Sequence, residues 1–165
     1  NLTQGTVYCG YSRSRCNSQE SIEDGEPLFI GCDFNVTRQC AVVYVRRGEE
    51  WHAVEEMLDM YDTPDMIRII SERYIDHRIT IYPSNPAIKD RVMATNAAFE
   101  NGLLYINALK CTGVAESFEQ IAYDKNGMPD KNSGLDHAID AATYPIAYEM
   151  PIVKPVAHIP INFSV

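Results

Sequence analysis

Hydrophobic residues in this chain fall into short β-type runs in the first third and into helical stripes alternating with short runs thereafter. The stretch Pro27-Leu28-Phe29-Ile30-Gly31-Cys32-Asp33 is almost continuously apolar and ends in a carboxylate, the pattern of a strand buried on both faces. Cys40 to Val45 is rich in β-branched residues, Arg46 to Glu50 supplies a turn, and Trp51 to Leu58 predicts a third strand. Links this short make the three an antiparallel meander. Thr63 is placed to cap a helix with Pro64 at its first position, and Met66, Ile67, Ile70 and Tyr74 recur at helical spacing. Arg78 to Tyr82 is a fourth strand, and the intervening helix makes a crossover to a parallel neighbour the natural connection. Asn85 and Pro86 open a helix carrying Ile88, Val92 and Phe99, which Asn101-Gly102 closes; Leu103 to Ile106 is a short fifth strand. Val114, Phe118, Ile121 and Ala122 mark a further helix. After a loop from Tyr123 to Asn132, Ser133 is expected to cap a final helix through Leu135, Ile139 and Ala142, which Pro145 should kink or end. The prediction is an α/β fold with a mixed central sheet of five strands, or slightly more, and helices on both faces.

The length of 165 residues and 45% hydrophobic content suit one core and one domain. Residues 26–150 are expected to form it. Residues 1–25, polar and turn-rich with Val7, Tyr8 and Tyr11 as apolar anchors, read as a loosely structured arm, and 151–165 as an extended tail. No stretch approaches the roughly 20 apolar residues of a membrane helix, and the first residues lack a signal-peptide pattern, so a soluble, intracellular protein without a membrane partner is expected. Five cysteines without a C-x-x-C pair indicate buried thiols, neither a disulfide framework nor a zinc ribbon. The sequons at Asn1 and Asn35 are then chance matches. A net charge of -9 argues against tight passive binding to a phosphate backbone, though carboxylates that hold divalent cations also add to that count.

Two acidic segments stand out. Asp33 directly follows apolar residues, where loss of water is costly to a carboxylate unless a cation compensates; the alternative is a plain strand-end or turn residue. In Leu135-Asp136-His137-Ala138-Ile139-Asp140, the two acids lie four residues apart on one helix face, with His137 rotated by about 100°. Their repulsion would become attraction to a shared cation; alternatively, Ser133-x-x-Asp136 is a capping box and the acids serve the helix dipole. An acid at the end of the first strand is well placed to meet acids of the last helix. Asp33, Asp136 and Asp140 are therefore the candidate catalytic residues, and with His137 the candidate metal ligands.

Together, Glu26 to Asn35, Arg78 to Pro83, the opening Asn85-Pro86 with Asp90-Arg91-Val92, and Asp130 to Ala141 resemble the C-terminal nuclease domain of tailed-phage large terminase subunits, in order from about Val7 to Ile152. The resemblance implies an RNase H-like fold and an endonuclease that cuts concatemeric double-stranded DNA with two magnesium or manganese ions. It makes Asp33 the first acid and the Asp136/Asp140 helix the last, with Asp136 ranked first as the direct ligand. The family carries its second acid just after a strand ending in Tyr-Pro, whereas here Pro83 is followed by Ser84. A terminase ATPase domain, fused or separate, a portal and a small terminase subunit are the implied partners. The host cytoplasm is the implied location, and the protein is not expected in the mature virion.

The sequence has no G-x-x-x-x-G-K-[ST] motif for ATP hydrolysis. Arg13, Arg15, Lys89, Arg91, Lys110, Lys125 and Lys131 could line a DNA path or simply be solvated surface. His52, His77 and His158 show no ligand spacing. Two other readings compete: a recombinase or resolvase on the same fold, and a catalytically silent domain that docks a portal or another partner.

Overall fold

The computed structural model describes residues 5–36, 38–152 and 160–162. His158, Thr37 of the second sequon, the whole of the first, and most of the expected tail lie outside them.

Five strands form one mixed sheet. β1 (Leu28–Asp33), β2 (Gln39–Arg47) and β3 (Glu50–Met60) make the antiparallel meander, β4 (Ile79–Tyr82) runs parallel to β1, and β5 (Leu104–Ile106) runs parallel to β3. The order across the sheet is β4-β1-β2-β3-β5, so β1 is an internal strand. The crossover from β3 to β4 is α1 (Thr63–Arg73); α2 (Ile88–Glu100), α3 (Thr112–Gln120) and α4 (Asp136–Glu149) follow.

Side-chain alternation along the strands divides the core. Ile30, Cys32, Val43 and Val45 pack with Met66 and Ile70 of α1 on one face. Val42, Tyr44, Trp51 and Ala53 face the opposite way, against Phe99, Phe118, Ile139 and Ala142 of the other helices. Helices thus cover both faces, as the near-continuous apolar run of β1 requires.

The approach of α4 to the sheet depends on one residue. A Cβ at Gly31 would lie 1.8 Å from the Ala141 carbonyl oxygen and 2.8 Å from Pro145 Cδ. Pro145 has no N–H to give Ala141 four residues earlier, the usual reason a proline breaks a helix. Here α4 continues to Glu149 with Pro145 inside it. The bare backbone of Gly31 leaves room for the proline turn against β1, and of the expected kink or end at Pro145 the end does not occur. Tyr44 adds a tie by donating from its hydroxyl to the Ala142 carbonyl at 2.6 Å.

Helix boundaries differ from expectation where side chains found other partners. Asp62, not Thr63, caps α1 by accepting from the Asp65 amide at 2.8 Å. α2 begins two residues after Pro86, whose carbonyl accepts from Arg91 Nε instead. Ser133 does not cap α4: its hydroxyl donates to the Asp130 carbonyl, and α4 starts at Asp136 behind Leu135 with no side-chain cap. The end of α2 is as expected, with Gly102 at φ 67° and amides of Gly102 and Leu103 donating back to Phe99 and Ala98.

Residues 5–25 are not loose. Val7, Tyr8 and Cys16 are buried in the core, the Val7 amide donates to Ile121, and Ile106 and Cys16 pair through their backbones. Polar composition concealed this because the segment is held by a few large side chains and by Arg47, which bonds Glu20 and Glu26 and the Ser21 carbonyl.

Candidate active site

The parallel pairing of β1 with β4 and the packing of α4 on β1 bring three chain segments to one end of the sheet. Asp33 closes β1, α4 begins at Asp136, and residues 83–87 leave β4 for α2. In register, Gly31 lies beside Tyr82, so continuation of the pair carries Ser84 toward the level of Asp33. Ser84 is exposed.

Asp33 is nearly buried, and both its oxygens are engaged. The Tyr144 hydroxyl donates to Oδ1 at 3.4 Å, and His137 Nδ1 lies 3.2 Å from Oδ2. Since a carboxylate can only accept, the ring tautomer that makes this contact carries its proton on Nδ1. His137 Nε2 faces the other way, 4.0 Å from Asp136 Oδ1. The imidazole therefore stands between the first acid of the strand and the first acid of the helix. Asn35 Nδ2 lies 3.2 Å from His137 Nδ1, which with its proton committed to Asp33 makes this a close approach of two donors and not a hydrogen bond.

Asp136 is the residue least satisfied by this arrangement. Its Oδ1 is buried and has no hydrogen-bond partner. A buried carboxylate oxygen without a partner is costly, and a partner that is not a protein donor is the ordinary remedy.

Asp140 lies one turn further along α4 and turns to Arg91 of α2, which pairs with its Oδ1. Burial pushes the Asp140 carboxyl above its ordinary value; Arg91 works against that, while the charges of Asp33 and Asp136 add to it. The charges of Asp33 and Asp136 are thus felt at Asp140. Among the described residues, however, no three His, Cys, Asp or Glu side chains are gathered closely enough to enclose a metal ion. The four expected ligands stand as an Asp33–His137–Asp136 chain and a separate Asp140–Arg91 pair.

The basic candidates scatter. Arg13 pairs with Glu119, Arg15 donates to the Gly10 carbonyl, and Arg91 is buried. Lys131 lines a narrow cleft with Asp136, Asp140 and Arg91, and Lys89 and Lys125 line an open groove beside it. His52 is held by Ser18 at 2.7 Å, and His77 Nδ1 donates to the Glu26 carbonyl. Four cysteines are buried and Cys9 is exposed; burial pushes the Cys32 thiol up to about 12, which leaves it protonated and inert. Arg91 and Tyr144 are the site residues that the sequence reading missed as such. Arg91 was signalled only as a basic residue and as part of the family-like helix opening, and Tyr144 not at all.

A family model of the terminase RNase H-like domain matches residues 65–149, which contain β4, α2 and the whole of α4. The chain belongs to this family. Its fold agrees with that of the large terminase from a thermophilic bacteriophage, with a TM-score of 0.71 at 13% identity over 87% of this chain and 44% of that one. The P22 large terminase nuclease domain aligns over 92% of this chain and 96% of its own, with a TM-score of 0.67 at 11% identity. This terminase domain thus spans less than half the length of the thermophilic phage protein, and most of the P22 domain. No curated protein matches the sequence. At these identities the structural agreement speaks for the RNase H-like fold, and the family match carries the assignment to terminases.

Proposed function

We propose that this terminase domain is a metal-dependent endodeoxyribonuclease that cuts concatemeric double-stranded phage DNA, with Asp33 and Asp136 as the carboxylates that hold the catalytic cation. The observation that carries the reading is the pairing of these two acids across His137, with a buried Asp136 oxygen that no protein group satisfies. A hard divalent cation takes carboxylate oxygens, so the donor chemistry fits magnesium or manganese. Such an ion, when bound, supplies an activated water and neutralises charge on the phosphodiester.

The residues of the chain have separable tasks. Tyr144 fixes Oδ1 of Asp33, so that the carboxylate presents Oδ2 toward the α4 terminus. His137 lies between the acids, and a cation held by Asp33 and Asp136 would take the place of its contacts with their carboxylates. Lys131, in the cleft with Asp136, is placed to meet a phosphate oxygen. The donors present fit one ion. A two-ion arrangement calls for a further acid beyond β4, and that stretch offers Ser84.

With a charge of -9 the domain would hold DNA weakly by itself. Delivery by a terminase ATPase domain, fused or separate, follows naturally, with portal and small subunit as further partners in the host cytoplasm. Ser84 at the expected position of the second acid favours one competing reading, a silent domain that docks a partner. Nicking of supercoiled plasmid in Mn2+ separates the two. The nuclease reading expects wild-type nicking that a chelator stops and that Asp33→Ala lacks; wild type cutting no better than Asp33→Ala would leave the docking reading.

A further inference from the structure

We infer that the groove between the first turns of α2 and the loop from Tyr123 to Pro129 takes an unpaired stretch of DNA strand and leads it to Lys131 and Asp136. Bases lie on its apolar floor, and phosphates meet Lys89 and Lys125. The inference rests on the reading of this end of the sheet as a nuclease site.

One wall of the groove is a tight turn. The Asp124 amide donates to the Met128 carbonyl at 2.7 Å and the Asp130 amide to the Ala122 carbonyl at 2.9 Å, with Gly127 at φ 75° inside the turn. Asp124 Oδ1 accepts from the amides of Asn126 and Met128 at 2.8 and 3.0 Å, so the acid of this wall is held by its own loop. Ile88, Val92 and Met93 of α2 form the opposite wall. Met93 and Met128 are left 41% and 45% exposed, apolar surface that the fold itself does not cover. The groove encloses about 750 Å³, within the range of about 300 to 1,000 Å³ that takes cofactor-sized ligands. At Ile88 and Pro129 it adjoins the narrow cleft that holds Lys131 and Asp136.

Charge selects the occupant. Lys89, Lys125 and Lys131 are three of the five lysines in a chain of net charge -9, and all three line these two adjoining clefts. Arg13, Arg38, Arg47, Arg68 and Arg91 each pair with a carboxylate, whereas among the described residues none of the three lysines does. Unpaired cations above an apolar floor fit a ligand that is both anionic and flat. A DNA duplex turns its phosphates outward and hides its base faces, so it would gain from the lysines and nothing from the floor. An unpaired strand supplies both, with base faces for the Tyr123 ring and the methionine thioethers and phosphates for the lysines. An acidic peptide supplies the charge without the flat faces. Double-stranded DNA is then cut one strand at a time, with base pairs opened beside the phosphate under attack.

The test is fluorescence polarisation of the full chain, in chelator and low salt, with a labelled oligothymidylate of about 12 nucleotides and a duplex of the same length. The single strand should bind at least about fivefold more tightly than the duplex, and Tyr123→Leu, which keeps apolar packing without the aromatic face, should weaken it by about fivefold or more. Lys89→Gln and Lys125→Gln should each lower the slope of log affinity against log salt by about 0.7, the value of one single-strand phosphate contact. Arg73→Gln, exposed on α1 at the other face of the sheet, should leave that slope unchanged. Duplex bound as tightly as single strand, an equal effect of Arg73→Gln, or a glutamate-rich peptide that competes as well as unlabelled oligothymidylate would overturn the inference. Because binding is read without a cation, plasmid nicking in Mn2+ reports separately on the acids. Nicking by a wild type that binds no single strand overturns the groove and leaves the nuclease reading in place. Strand binding without nicking overturns the nuclease reading, and the lead to Asp136 with it.

Discussion

Gly31 lies two residues before the candidate first ligand and sets how closely α4 approaches it. Because a methyl there would collide with the Ala141 carbonyl and the Pro145 ring, Gly31→Ala should force the start of α4 away from Asp33. The expected loss is about 3 kcal/mol in urea unfolding, the upper end for overpacking; an alanine that stabilises the strand would show that the helix yields freely. Asp140 offers a pH-dependent check. Its carboxyl is raised by burial in the folded state, so the native protein holds that proton more tightly than the unfolded chain. The associated stability is present below the ordinary value of 3.8 and is lost as pH rises through the raised value. Asp140→Asn should abolish this contribution, so the stability difference between variant and wild type should change across that window and be flat well below it. In the sequence Asp33 stands out as an acid ending an apolar run, and Asp136 as one of two acids sharing a helix face. Arg91 was not, because its partner lies 49 residues away, and only the packing of α2 against α4 joins them.

Among the elements, periodicity served well where burial decides the structure and poorly where single side chains decide it. The meander, the parallel β4 and the α2 terminus at Gly102 all follow from apolar spacing and turn chemistry. The start of α4 does not, because Ser133 was drawn into a turn with Asp130, and Asp136 consequently stands at the first helical position without a cap. The N-terminal segment escaped for another reason. Its anchors are sparse, and its attachment rests on Arg47 with Glu20 and Glu26. Burial works to raise the Glu26 carboxyl, but the hydrogen bonds from Arg47 prevail and hold it below its ordinary 4.5. A lowered carboxylate contributes stability above the unfolded value and loses it as pH falls through the folded one. Arg47→Met should therefore cost about 2 kcal/mol at neutral pH, as for hydrogen bonds to a charged group, and less in acid. Equal losses at pH 7 and pH 3 would place the role of Arg47 in its packing.

At the scale of the molecule, the family match and the RNase H-like sheet give the setting, and one end of that sheet gathers the candidate acids. In the proposed nuclease, part of the acidic net charge would hold cations and the remainder would make DNA binding depend on delivery by a motor. In the proposed site a divalent cation is held by Asp33 and Asp136. Crystals soaked in Mn2+ and recorded near the manganese absorption edge test it directly. The expected result is an anomalous peak bounded by these two carboxylates, with His137 turned out from between them. Manganese absent there at saturating concentration, with His137 still bridging the two acids, would contradict it.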